Sequence, residues 1–219
     1  KFGGSIYFTS SNPRAESSIE ECKFEENKAQ QGAGAIYYSP CANSEMKDNL
    51  FVNNYCNNDN AQGSSLYVII ANQSRKKIKE DDDDDDDDEK IKAVVIENNR
   101  IRSKPVNNSQ QLFIDLKKDC ELIFNSNSFS FDKTNSEDIP SNAKYIHLSM
   151  ENSSVIHING EICVDNKDDP LVEGFDSDAN IVTDCHKADS ENDQSFGDND
   201  DNKSKDKSNL ALIIFTHVS

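Results

Sequence analysis

Gly4-Ser5-Ile6-Tyr7, Gly34-Ala35-Ile36-Tyr37 and Ser64-Ser65-Leu66-Tyr67 write one pattern three times, at a constant spacing of about thirty residues. Each copy sets a small residue pair before an aliphatic and a tyrosine. A period in this range marks a solenoid, in which one supersecondary unit buries its apolar face only against its neighbours. Working outward from these copies, the same period finds looser versions at Leu112-Phe113-Ile114 and Ile146-His147-Leu148.

A second motif runs out of phase with the first. Phe24-Glu25-Glu26-Asn27 recurs as Phe51-Val52-Asn53-Asn54, Ile96-Glu97-Asn98-Asn99, Phe124-Asn125-Ser126-Asn127 and Ile156-His157-Ile158-Asn159. Both motifs share one oversized gap, which places roughly seventeen extra residues in the third repeat as an external loop. That loop spans 73–91 and holds the aspartate run Asp81 to Asp88.

Period-two alternation makes the repeated segments short strands. Ile6 and Phe8 share a face, as do Leu66, Val68 and Ile70, then Leu112, Ile114 and Leu116, then Ile146, Leu148 and Met150. In the second motif Cys22, Val94 and Leu122 supply the preceding apolar position, and Asn49 before Phe51 breaks it. No sustained 3.6-residue stripe appears in the repeat region. The fold class is therefore all-β: a parallel β-helix solenoid of about five coils, with a disordered acidic loop and tail. Residues 1–164 form the repeat domain, 165–208 an acidic linker and 209–219 an apolar C-terminal segment.

Rising one strand spacing per turn sets like positions above one another. The expected interior ladder is Phe24, Phe51, Ile96, Phe124 and Ile156, with Asn27, Asn54, Asn99, Asn127 and Asn159 at one corner. Asparagine after a strand tolerates left-handed backbone and bonds neighbouring main chain. Glycine before the aliphatic permits close backbone approach.

Gly3-Gly4-Ser5-Ile6-Tyr7, Ala33-Gly34-Ala35-Ile36-Tyr37 and the Phe-x-x-Asn copies resemble the GGAI and FxxN repeats of the polymorphic outer-membrane protein family. The resemblance covers about residues 1–160, is close in the first seventy and decays afterwards. It implies a right-handed parallel β-helix passenger outside the cell, linked to adhesion or antigenic variation. Gly63-Ser64-Ser65 departs from the pattern, and the last two repeats lack the glycine pair.

The net charge of −18 is uneven. Residues 80–89 carry eight aspartates and two glutamates, and 165–207 carry a further acidic excess, so the solenoid itself is nearly neutral. Like-charge runs without apolar residues do not fold. Calcium is the natural cation for such carboxylates, but a homopolymer lacks the fixed spacing of a cage, so at most weak binding by the aspartate run is expected. Nucleic acid is excluded as a partner by this much negative charge. Leu210-Ala211-Leu212-Ile213-Ile214-Phe215 is apolar but too short to span a bilayer. It reads as the start of a membrane anchor or as a strand that packs back on the solenoid, with the anchor favoured. The chain begins within a repeat, and further residues upstream are expected.

No CxxC pair occurs among Cys22, Cys41, Cys56, Cys120, Cys163 and Cys185, which argues against a zinc ribbon or a thioredoxin-type site. Disulfides Cys22–Cys56 and Cys120–Cys163 stand against the alternative of buried thiols. Cys185-His186 supplies too few ligands for a metal. Sequons at Asn72, Asn107, Asn152 and Asn202 are no more than an Asn- and Ser-rich chain yields by chance.

With the aliphatics inward, Tyr7, Tyr37, Tyr67 and Phe113 line one outer sheet as a candidate ligand-binding stripe. The bland alternatives are rings covered by loops, or an inverted alternation. Catalysis is the rival class, because many parallel β-helices are pectin-lyase-like lyases or hydrolases of polysaccharides. Arg100-Ile101-Arg102 faintly resembles the basic triplet of polygalacturonases, yet no paired carboxylates accompany it, and His147 and His157 point outward with no partner carboxylate assigned. The sequence thus leads to a non-enzymatic cell-surface repeat protein, without catalytic residues, cofactor or metal. Its expected partner is a host-cell or extracellular protein or glycan, with a structural spacer as a further alternative.

Overall fold

The computed structural model describes residues 2–12, 15–58, 62–71, 93–104, 110–131, 143–158 and 161–164, with the backbone of strands at 172–173, 181–182 and 213–216. The 73–91 insertion, most of the 165–208 linker, Asn159, Cys185 and the sequons other than Asn152 lie outside the described residues.

The chain is a parallel β-solenoid, and no helix occurs among the described residues. The first rung holds β1 (Ile6–Thr9), β2 (Glu16–Glu20), β3 (Lys23–Glu25) and β4 (Lys28–Ala29). The second holds β5 (Ile36–Ser39), β6 (Glu45–Lys47), β7 (Leu50–Val52) and β8 (Tyr55–Cys56). Three strands make each later rung: β9 (Leu66–Ile70), β10 (Val94–Glu97) and β11 (Arg100–Ser103); β12 (Gln110–Leu116), β13 (Glu121–Asn125) and β14 (Ser128–Phe131); β15 (Lys144–Met150), β16 (Val155–His157) and β17 (Ile162–Val164). About four turns carry the chain from β1 on the first of these five rungs to β15 on the last. Strands β18 (Val172–Glu173) and β19 (Ile181–Val182) pair with β15 and β17, so pairing extends into the stretch read as linker. Strand β20 (Ile213–Thr216) runs antiparallel to β2.

Three sheets result. The first runs β1-β5-β9-β12-β15-β18, the second β16-β13-β10-β6-β2-β20, and the third β19-β17-β14-β11-β7-β3. Alternation decides which side chains enter the core. In the first sheet Ile6, Ile36, Leu66, Leu112 and Ile146 stack in register, beside Phe8, Tyr38, Val68, Ile114 and Leu148. A narrow apolar column of this kind needs no bulky interior, which is how a chain with 34% hydrophobic residues and no tryptophan still closes a core.

The single ladder expected from Phe-x-x-Asn is two ladders. Phe24, Phe51, Ile101, Phe129 and Val164 stack in the third sheet, with the Phe24 and Phe51 rings 5.1 Å apart. Ile19, Met46, Ile96 and Phe124 stack in the second. Ile156 lies under Leu122 rather than under Phe124. The asparagines divide likewise. Asn49, Asn99 and Asn127 form one column between the second and third sheets, where each side-chain Oδ1 accepts the backbone N–H of the rung before, from Cys22, Asn49 and Asn99. Asn27 and Asn54 form another after the third sheet, with Asn27 N–H donating to Asn54 Oδ1 at 3.0 Å.

The motif therefore occurs twice in a rung, as Met46-x-x-Asn49-x-Phe51-x-x-Asn54, because two successive corners use the same bend. Asn49, the residue that breaks the alternation before Phe51, belongs to the neighbouring corner. Nor are these asparagines the left-handed residues. Positive φ falls one position earlier, at Glu21, Asp48, Asn98 and Ser126 in one column and at Glu26 and Asn53 in the other. The preceding residue makes the bend; the asparagine hydrogen-bonds across it.

Candidate recognition surface

On the outer face of the first sheet, in-register pairing aligns Tyr7, Tyr37, Tyr67, Phe113 and His147. Each sits between two inward-facing apolar or aromatic residues, so the strand pleat turns it to the other face. Tyr7 stacks on Tyr37 with ring centroids 4.7 Å apart and planes 10° from parallel. Tyr37 meets Tyr67 edge-on at 5.4 Å, Tyr67 meets Phe113 edge-on at 4.9 Å, and Phe113 stacks on His147 at 4.8 Å.

Access differs sharply along this column. Tyr7 is 62% exposed and Tyr37 half-buried, whereas Tyr67 and Phe113 keep only 8% and 7% exposure. Phe2 packs against both Tyr37 and Tyr67, with centroids 5.5 and 5.8 Å away, and Ala33 joins the same cluster. Of the four stripe residues read from the sequence, Tyr7 and Tyr37 face solvent and Tyr67 and Phe113 act as the packed footing beneath. Tyr7 and Tyr37 spend a face on one another, and the next two contacts down the column turn edge to face. A flat aromatic platform is not what this geometry offers.

A charged group flanks the column. Asp115 stands in register with Ile69 and Ser149. Lys117 Nζ bridges Asp115 Oδ2 at 2.9 Å and Glu151 Oε1 at 3.1 Å, while the Lys118 N–H donates to Glu151 Oε2. Burial, then Asp115, pushes the Tyr67 phenol above its usual range; burial, then Tyr7 and Asp115, does the same for Tyr37. Phe2, Asp115 and Lys117 were not singled out from the sequence. The signal for Asp115 was there, since it lies two residues after Phe113 and shares its face.

The other candidates fall elsewhere. Arg100 and Arg102 lie on β11 in the third sheet, His147 on β15 in the first, and His157 on β16 in the second, where its Nε2 sits 2.7 Å from Glu121 Oε1. That pairing corrects the reading of His157 as lacking a carboxylate partner. Among the described residues no group of three or more His, Cys, Asp or Glu side chains converges as a metal site. A shallow hollow of about 470 Å³ is lined by Gly3, Gly4, Lys28, Ala29, Gln30 and Asn57. The Gly3 and Gly4 amides there already donate to Gly32 and Ala33 carbonyls.

The expected disulfides are not formed. Cys22, Cys41, Cys56 and Cys120 are thiols, while Cys163 is disulfide-bonded to a residue outside this set. The register explains the failure. Cys56 pairs with Ala29, the Cys22 N–H donates to Asn49 Oδ1, Cys163 pairs with Ser128, and the Cys120 carbonyl accepts the Val155 N–H. No two of these cysteines stack. Burial pushes the Cys56 thiol up to about 11.

No protein-family model, curated protein or solved structure matches this chain.

Proposed function

We propose that this chain is a non-enzymatic cell-surface solenoid that recognises an extracellular partner protein through the Tyr7–Tyr37 end of its first sheet. The observation that carries the reading is the graded column: two accessible phenols held at fixed spacing on a buried footing of Tyr67 and Phe113. Rigid aromatic side chains with polar tips lose little entropy on binding and dominate protein interfaces. A glycan would dock against a continuous run of ring faces, and the edge-to-face turn between Tyr37 and Tyr67 breaks that run; two phenols on a packed footing suit a protein surface better. Adhesion and surface display also follow the resemblance of the repeats to polymorphic outer-membrane proteins.

The test compares the full chain with a Tyr7→Ser, Tyr37→Ser double variant of unchanged circular dichroism, binding to a panel of intact eukaryotic cells. The reading expects saturable binding that protease treatment of the cells abolishes and that the variant weakens by about tenfold or more. Equal binding by the variant contradicts it. Loss of binding on glycosidase treatment alone transfers the role to a glycan.

A further inference from the structure

The same column places two phenols where oxidation would join them. We infer that Tyr7 and Tyr37 are a dityrosine site, an oxidative staple between the first and second rungs, independent of whether a partner docks there. Strand register holds the two residues side by side, and their rings lie 4.7 Å apart and 10° from parallel. Tyr7, 62% exposed, is open to an oxidant and has room to swing.

The six tyrosines of the chain divide cleanly against this requirement. Tyr38 and Tyr145 are fully buried. Tyr67 is 8% exposed and meets Tyr37 at 76°, edge to face, which keeps the ring carbons beside the two hydroxyls from lying over one another. Tyr55 is exposed but faces the Lys28 ammonium, 5.1 Å from its ring centroid, and pairs with Lys28 rather than with a tyrosine in the register. Tyr7 and Tyr37 alone combine access with stacked geometry. Fixed proximity makes their coupling intramolecular and raises its rate over encounters between molecules.

The oxidant is hydrogen peroxide acting through a one-electron peroxidase. Each phenol gives up one electron and its hydroxyl proton and becomes a phenoxyl radical. The two radicals form a carbon–carbon bond between ring positions next to the hydroxyls. Each coupled carbon then loses its hydrogen as a proton, which returns to the phenolic oxygen and restores the aromatic ring. In total two hydrogens leave the pair, and their electrons and protons reduce one peroxide to two waters.

The experiment treats the full chain with a haem peroxidase and one equivalent of hydrogen peroxide, followed by intact-mass and peptide-mapping mass spectrometry on the monomer. The expected product is a monomer lighter by two hydrogens, with dityrosine fluorescence and a cross-linked peptide joining Tyr7 to Tyr37. Tyr7→Phe and Tyr37→Phe, which keep the stacked rings, each abolish it; Tyr55→Phe and Tyr67→Phe leave its yield within about twofold. In concentrated urea the intramolecular yield of the unaltered chain falls by about tenfold or more, because the proximity is lost. The inference is overturned if cross-links form only between molecules, if they join other tyrosines, or if the denatured chain gives the same yield. The readout needs no partner, so its failure leaves the binding reading standing and the converse also holds.

Discussion

Asn99 shows how much one side chain does at a corner. Its Oδ1 accepts from the Asn49 backbone N–H at 3.1 Å and from Asn49 Nδ2 at 2.9 Å, and its Nδ2 donates to the Met46 carbonyl at 2.9 Å. All three groups belong to the rung before, and Asn49 and Met46 are buried. Asn99→Ala takes a partner from each; Asn49 Nδ2 keeps its bond to the Ile19 carbonyl at 2.8 Å, while an unsatisfied buried group costs about 1–3 kcal/mol. The expected loss is about 2 kcal/mol in urea unfolding, and a loss below about 0.5 kcal/mol would falsify the bracing role assigned to the ladder. The residue one before each ladder asparagine does the opposite kind of work. Glu26 holds φ at +52°, a conformation that costs a non-glycine residue about 1–2 kcal/mol. Its side chain is exposed and its backbone N–H donates to the Val52 carbonyl, a bond glycine keeps. Glu26→Gly is therefore expected to stabilise, by up to about 1 kcal/mol after the unfolded chain's added freedom is subtracted. Destabilisation measured by thermal melting would show that the side chain matters more than the bend.

Among elements, the turn into β5 leaves no room for a side chain at Gly34. A Cβ on Gly34 would sit inside van der Waals contact of the Ser64 carbonyl and of both the amide and carbonyl of Tyr55. These are backbone atoms that cannot swing aside, so Gly34→Ala is expected to cost about 3 kcal/mol, with a matching drop in the unfolding midpoint. A neutral Gly34→Ala would mean the rungs are spaced more widely than described. Near β12 and β15 the effect to look for is electrostatic. The Lys117 ammonium, and after it the Lys118 N–H, holds the Glu151 carboxyl below its ordinary range. A depressed carboxylate contributes stability above its unfolded pKa and loses it as pH falls through the folded one. Carbon-detected titration should therefore find Glu151 below an ordinary glutamate, and Lys117→Met should return most of the shift; an unchanged titration contradicts the bridge.

The glycine-aliphatic-tyrosine copies made the first sheet readable directly from the residues, because their period and alternation are unbroken through Tyr67. The second and third sheets were harder. Cys22 stands where the ladder has asparagine and Met46 where it has a larger branched or aromatic residue, so two interleaved columns passed as one. Side-chain direction at Tyr7 and Tyr37 follows from the pleat alone. Cover over Tyr67 and Phe113 does not, since it depends on Phe2 and Ala33 arriving from another rung. Asp115 and Lys117 were legible as a face but not as a group, because their partner Glu151 comes from the next rung.

At the scale of the whole molecule, two kinds of sequence coexist. A nearly neutral coil buries thin columns of Ile, Leu, Val and Phe, while most of the −18 charge resides in segments outside those columns. Stability in such a coil is a sum over neighbouring rungs. A substitution that breaks a column in the middle, such as Phe51→Ala, is expected to cost about 3–5 kcal/mol and to separate the unfolding of the rungs on either side. A fully cooperative transition in that variant, seen by hydrogen exchange, would count against the additive picture. The most direct test of the coil is the register itself, read as nuclear Overhauser contacts between backbone protons of adjacent rungs. The account predicts contacts linking Met46 with Ile96 and Ile96 with Phe124, and separately Phe51 with Ile101 and Ile101 with Phe129. Contacts joining Phe51 to Ile96, or an antiparallel pattern between these strands, would contradict it.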